Sequence, residues 1–313
     1  MINTDTHNGK FAPDNAIKSL LTPLFSHLES SVTDFVINPN GKAFKYYADG
    51  KYEEIHSPLI PSELRTLAYL LGGDKNEDIS DTSPSVSSRV SLSSRSARLE
   101  IVLPPAVEEP CLSLRFYVLS KTNLSELCDK GMFDNSTKDF LTQSVKTKKN
   151  IIISGATGSG KTTLLSALIN EIDTRERVII IEDLPEIECF LPNYTRIITN
   201  INTGFDGSSA IIRTLRMRPD RIIYGEVRTS AAFDLLDSWQ TGHSGGLGTI
   251  HASSTREALD RLSKLASRKS QNISFETCKN ITNTTVDVVV QLGFKNSKRC
   301  ILDIYKKRNG ESI

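Results

Sequence analysis

Residues 151–169 read IIISGATGSGKTTLLSALI. A run of branched aliphatics ends at Ser154, a glycine-rich turn follows, and Lys161 and Thr162 open a segment with the leucine spacing of a buried helix. The order predicts a strand, a phosphate loop and a helix. The octet GATGSGKT satisfies G-x-x-x-x-G-K-[ST]. Its glycines, Gly155, Gly158 and Gly160, free the backbone so that successive N–H groups curl around an anion. The first helical turn adds unpaired N–H donors and about half a positive charge. Gly155, Ala156, Thr157, Gly158, Ser159, Gly160, Lys161, Thr162 and Thr163 are therefore the expected nucleotide cradle. Lys161 would reach the outer phosphates and Thr162 would offer its hydroxyl to magnesium, which makes ATP and Mg2+ the expected ligands. A chance glycine-rich turn is the alternative, and it leaves the flanking strand and helix unexplained.

Downstream, strands and helices alternate as in a nucleotide-binding parallel sheet. Residues 178–181 form an aliphatic strand ending in Glu182 and Asp183, and 196–199 a shorter one. A helical pattern over 207–217 leads to a buried strand at 221–224 that ends at Glu226. A helix at 231–240 is followed by 247–250, which ends at His251. Polar residues thus stand at the C-terminal ends of apolar strands, where ligands bind in open α/β sheets. Residues 255–266 and 275–284 read as helices, and 286–291 and 300–305 as a closing strand pair.

Upstream the pattern is that of a smaller α+β unit. Apolar residues over 15–28 recur at helical spacing, bent by Pro23. Strands at 34–38 and 43–48 flank a Pro39, Asn40, Gly41 turn, and 62–71 is a helix expected to be capped by Ser62 and stopped by two glycines. The serine-rich, charged stretch 74–96 reads as a loop or weak edge strands outside the core. Residues 98–103 and 111–117 read as further strands, 119–123 as linker, and the basic run Lys146, Lys148, Lys149 as a solvated helix end.

Length suggests about two domains. The 38 basic and 37 acidic residues nearly cancel, so no global field supports direct nucleic-acid binding. Five scattered cysteines argue against zinc or a disulfide framework and fit a reducing cytosol. The N-terminus has no signal pattern and no apolar run approaches the ~18 residues of a membrane span. The chain is expected to stay inside, or to lie against a membrane that something else spans.

Four phrases in order, GATGSGKT, IIIEDLPEIE, LRMRPDRIIYGEVR and TGHSGGLGTIHASS, resemble the P-loop, acidic box, divergent second nucleotide motif and histidine box of the secretion ATPase superfamily. The chain is most similar to its type IV secretion and conjugal-transfer branch, and VTDFVINPNGK and RLEIVLPP extend the likeness into the first half. A type II secretion or pilus motor is the neighbouring reading, less favoured because no tetracysteine insertion is evident.

The resemblance implies a RecA-like P-loop NTPase motor domain over 135–313, a linker over 119–134 and a smaller α+β N-terminal domain over 1–118. It also implies ATP at the domain boundary, a homohexameric ring, and a position on the cytoplasmic face of the inner membrane, in peripheral contact with it and with the membrane-embedded subunits of a secretion or conjugation channel.

Glu226 ends its strand where P-loop ATPases place the carboxylate that orients or deprotonates the attacking water. The preceding residue is Gly225, where many such enzymes carry a magnesium-binding aspartate, so Glu182, Asp183 and Glu186 are the carboxylates available to support the metal. The resemblance also makes Glu182 a catalytic candidate, His251 the sensor of the terminal phosphate and His243 a less specific second histidine. It turns Arg98 and Arg115 toward nucleotide from the N-terminal side, with Arg95 as a further candidate there; Arg213, Arg216 and Arg228 are alternatives for an arginine finger acting across a subunit interface. The basic tail, Lys306, Lys307 and Arg308, reads as solvent-facing, with a partner or an acidic membrane as the alternative.

Overall fold

The computed structural model describes residues 13–29, 31–47, 51–75, 79–92, 95–116, 123–200, 204–270, 272–296 and 298–307. The chain divides into two compact units, Met1–Ser120 and Lys121–Ile313. No helix among the described residues is long and apolar enough to cross a membrane.

In the first unit, α1 (Pro13–Leu21) and a 3-10 turn (Thr22–His27) precede β1 (Val32–Ile37), β2 (Lys42–Tyr47) and β3 (Tyr52–His56). Then come α2 (Pro61–Lys75), β4 (Ser85–Leu92), β5 (Arg95–Val102) and β6 (Cys111–Phe116). The strands form one antiparallel sheet, β3-β2-β1-β6-β5-β4. Alternate residues, among them Val86, Val90, Leu99, Ile101, Leu112 and Leu114, join one core with Leu64, Leu67 and Leu71 of α2.

Several expectations change here. The first α-helix stops at Leu21, because Pro23 has no N–H to continue it and the chain tightens into the 3-10 turn. Pro61 occupies the first helical position of α2, and the Ile60 N–H is received by Glu63 at 2.9 Å, so Ser62 is not the cap. The helix runs on through Gly72 and Gly73 to Lys75, since burial of Leu67, Ala68 and Leu71 outweighs about 1 kcal/mol per glycine. The serine-rich stretch contains β4, at the sheet edge as one of the two readings allowed, but Val86 and Val90 lie inside the core rather than outside it. The expected linker residues 119–122 lie outside the described residues; beyond them the chain enters a helix.

The second unit comprises α3 (Leu124–Asp129), α4 (Asn135–Lys146), β7 (Ile151–Gly155), α5 (Lys161–Ile169), β8 (Val178–Glu182) and β9 (Tyr194–Ile198). These are followed by α6 (Gly207–Thr214), β10 (Arg221–Tyr224), α7 (Ala231–Gln240), β11 (Leu247–Ile250), α8 (Thr255–Ser267) and α9 (Phe275–Thr285). The hairpin β12 (Val288–Lys295) and β13 (Lys298–Lys306) closes the unit. The sheet order is β13-β12-β7-β11-β10-β8-β9, parallel except for β13.

Every residue of β7 and β8 is buried, because helices cover both faces of the sheet. Ile151, Ile153, Val178 and Ile180 pack on the α3–α5 side, while Ile152, Ile179 and Ile181 pack among α6 to α9.

Basic residues read as solvated are largely engaged by their own unit. Lys148 pairs with Glu176 at 2.8 Å and Lys149 with Asp287 at 3.5 Å. Lys306 sits 3.8 Å above the Phe140 ring, and Lys307 donates to the Thr284 carbonyl; Arg308 lies outside the described residues.

The N-terminal edge of the sheet is locked by two buried side chains. The Arg221 guanidinium grips Glu176 through Nε and Nη2 (2.9 and 2.8 Å) and donates to the carbonyls of Val145 and Gly245. The Asn150 carbonyl oxygen accepts from Gly245 and Gly246 N–H (2.8 and 3.0 Å), and its amide donates to Thr285 O. Asn150→Ala would leave two buried N–H groups without an acceptor and should cost about 3 kcal/mol. Urea unfolding followed by the one tryptophan, the buried Trp239, measures this; a loss under about 1 kcal/mol would contradict the lock.

Candidate active site

Because β7, β11 and β10 are parallel neighbours, the phosphate loop, His251 and Glu226 leave the sheet from one edge. The loop is backbone-shaped. A Cβ on Gly155 would stand 2.5 Å from Ser159 Oγ and 2.8 Å from Leu292 O, and Gly158 and Gly160 have φ of +76° and +98°. Ser159 Oγ is buried without a hydrogen-bond partner. A cradle that a side chain would fill, with an orphaned hydroxyl inside it and the start of α5 beneath, fits a phosphate chain.

Lys161 Nζ donates to the carbonyls of Gly155 and Ala156, both at 2.9 Å, and lies 3.4 Å from His251 Nδ1. His251 Nε2 is 2.9 Å from Glu226 Oε1. Burial lowers the imidazole below its ordinary 6.5, against the raising effect of Glu226 and with Lys161 and the arginines reinforcing the drop. The ring is therefore neutral at physiological pH, and its tautomer follows from its neighbours: Nδ1 faces the Lys161 donor and accepts, so Nε2–H donates to Glu226. Lys161 is itself lowered by burial, with Glu226 opposing.

Arg228 completes the chain, donating from Nε to Glu226 Oε1 and from Nη2 to Oε2, each at 2.6 Å. Burial would raise Glu226, but this fork, together with His251 and Lys161, holds its carboxyl below the usual range. The sequence offers Arg228 for a subunit interface; the structure engages it within its own chain. Thr249 Oγ1 donates to Gly225 O at 2.6 Å, a brace between the two strand ends that no motif indicates.

Glu182, expected from the sequence to serve catalysis and magnesium, is held by groups of its own unit. Its Oε1 accepts from the N–H groups of Glu186 and Ile187 (both 2.8 Å) and its Oε2 from Arg196 Nε (2.9 Å). Burial raises its pKa to about 7, with Arg196 and those amides pulling it back. Both oxygens are thus committed to bracing the loop after β8. Gly225 has a physical reason here: a Cβ on it would stand 3.1 Å from Glu182 Cγ. Asp183 is exposed, accepts from Thr199 Oγ1 at 2.6 Å, and with Glu186 lies near enough to raise Arg228.

No three acidic, histidine or cysteine side chains among the described residues could hold a metal unaided. The hydroxyl and carboxylates that the sequence offers are of the kind that hold magnesium when phosphate and water supply the remaining ligands.

Arg98 and Arg115 face each other across β5 and β6, and the row continues to Arg89 on β4, a residue sequence reasoning did not single out. Arg115 Nε pairs with Asp34 at 2.7 Å, and Arg98 lies 3.8 Å from Glu100. The period-two register is the signal that would have revealed Arg89. His243 precedes β11 and so lies at the opposite end of that strand from His251. The Arg95 side chain is outside the described part.

The neutral His251 has a direct check. Its imidazole, followed by NMR, should titrate below 6.5, and Glu226→Gln should lower the midpoint further, because the carboxylate is what raises it. A folded-state pKa below the unfolded one gives a contribution present above 6.5 and lost as pH falls through the folded value. A midpoint above 6.5 would reverse the assigned tautomer logic.

Residues 12–308 match the family model described as Type II/IV secretion system protein. The probable conjugal transfer protein TrbB of Sinorhizobium fredii (strain NBRC 101917 / NGR234) is 31% identical, over 88% of this chain and 83% of its own length. The crystal structure of the VirB11 ATPase from the Brucella suis type IV secretion system in complex with sulphate aligns over 94% of this chain and 95% of its own, with a TM-score of 0.52 and 26% identity. The pilus retraction motor PilT with bound ADP shares the fold at a TM-score of 0.69 and 16% identity, over 94% and 83% of the two chains. The doubly covered parallel sheet is thus a RecA-like motor domain, and the chain belongs to the type II/IV secretion system protein family, in its type IV secretion and conjugal-transfer branch.

Proposed function

We propose that the chain is a Mg-ATP-hydrolysing motor that powers a type IV secretion or conjugative transfer system. The observation that carries this reading is the continuous contact from Lys161 through His251 to Glu226 across three adjacent strand ends. Residues 155–163 bind the phosphates of ATP, and magnesium arrives with them, met by Thr162 and Asp183. Lys161 exchanges the carbonyls of Gly155 and Ala156 for the terminal phosphate, a stronger charge-assisted partner.

Glu226 orients the attacking water and accepts its proton, which requires the Arg228 fork to loosen at one carboxylate oxygen. His251, bonded to both Lys161 and Glu226, registers the change at the phosphate and passes it to the strand ends. Arg98 and Arg115 are the proposed source of the positive charge that phosphoryl transfer needs, a role that rests on the family resemblance. On this reading 1–118 and 135–313 are the moving domains, 119–134 is the linker, and hydrolysis becomes movement between them.

The same reading includes a homohexamer, placed in the cytoplasm against the inner membrane and in contact with membrane-embedded channel subunits. The family match and the TrbB and VirB11 relatives support that setting.

Magnesium-dependent phosphate release by the wild type and by Glu226→Gln, with particle mass measured with and without nucleotide, tests the proposal. Glu226→Gln should bind ATP and form the same hexamer but hydrolyse about 10²- to 10⁴-fold more slowly. Near-wild-type turnover by the variant would remove Glu226 from its role. Nucleotide-dependent rings of wild type without turnover would replace the motor with an assembly protein gated by bound nucleotide.

A further inference from the structure

The β12–β13 hairpin reaches back to the phosphate loop. Arg299, the second residue of β13, donates from Nε to the Gly158 carbonyl at 2.9 Å, and its Cδ stands 3.6 Å from where a Cβ on Gly160 would be. The Met132 methyl approaches that same point to 3.4 Å, and the Met132 carbonyl accepts the Ile301 N–H at 2.9 Å. A buried thioether and an exposed guanidinium therefore flank one side of the loop. Among the described residues, Nη1 and Nη2 of Arg299 make no hydrogen bond.

The sheet order indicates which end of a nucleotide meets this pair. Lys161, His251 and Glu226 converge on the β11–β10 side of β7, whereas β12 and β13 lie on the other side. A phosphate chain whose terminal group lies at Lys161 and Glu226 runs across the head of β7. Its nucleoside end emerges toward β13, two strand spacings or about 10 Å from β7.

Resting on the ATP-binding reading above, we infer that Arg299 and Met132 form the nucleoside subsite. The guanidinium plane stacks on the base, Met132 closes the apolar side, and the Gly158 contact holds the arginine in place. The pair thereby distinguishes a nucleotide from a bare polyphosphate. Arginine suits this position because its plane stacks on π-faces while its edge hydrogen-bonds, which the lysine ammonium cannot reproduce.

Calorimetric titration of the full-length wild type, Arg299→Ala and Arg299→Lys, each with Mg-ADP and with inorganic tripolyphosphate, tests the assignment. The alanine variant should bind ADP about tenfold more weakly while tripolyphosphate affinity stays within about twofold. The lysine variant should recover little of the ADP loss. Equal loss for both ligands would make Arg299 a brace for the Gly158 carbonyl and nothing more, and unchanged ADP affinity would equally overturn the subsite. If the wild type itself bound neither ligand, the ATP-binding reading would fail first.

Discussion

Lys161, His251, Glu226 and Arg228 form one line of polar contacts across the ends of β7, β11 and β10, and the candidate site is arranged around it. Each member stands at a strand end or the first turn beyond, so only the parallel order of these strands brings residues 161, 226 and 251 together. That order is fixed from the far edge as well. Asn150 ties the start of β7 to the turn before β11, and Arg221 at the start of β10 binds that turn and Glu176 before β8. Rigidity at one edge lets the opposite edge carry exchangeable contacts.

The electrostatics of the line explain why a histidine stands at its centre. A lysine and a carboxylate in direct contact would hold each other and compete with phosphate and water. The neutral imidazole separates them, accepting at Nδ1 and donating at Nε2, so each keeps its charge available. A change of partner at Lys161 alters what His251 accepts, and through the ring what Glu226 receives. Arg228 holds the carboxylate ionised and occupied, which ties its readiness to a second, separate contact.

Much of this arrangement was legible in the sequence. The phosphate loop, the aliphatic strands and the polar residue ending each one follow local rules of period and turn chemistry, and the expected strands and helices of the second unit match the observed ones to within a few residues. What escaped was set by long-range packing. Glu182 is legible as a strand-end acid, but its partners Arg196, Glu186 and Ile187 are known only from the fold. β4 has a loop-like composition, and among its described side chains Val86, Ser88 and Val90 are the buried ones. α2 outlasts its two glycines for the same reason: tertiary contacts outweigh a weak local preference. The link from Arg299 to Gly158 spans 141 positions and leaves no trace in either segment.

If His251 and Glu226 act as one connected unit, a double-mutant cycle on ATP hydrolysis will reveal it. His251→Ala, Glu226→Gln and the double variant are compared under saturating Mg-ATP. Strong non-additivity is expected: the double variant is no slower than Glu226→Gln alone, because the ring acts through the carboxylate. Losses that simply multiply would show two independent contributions and contradict the connected line.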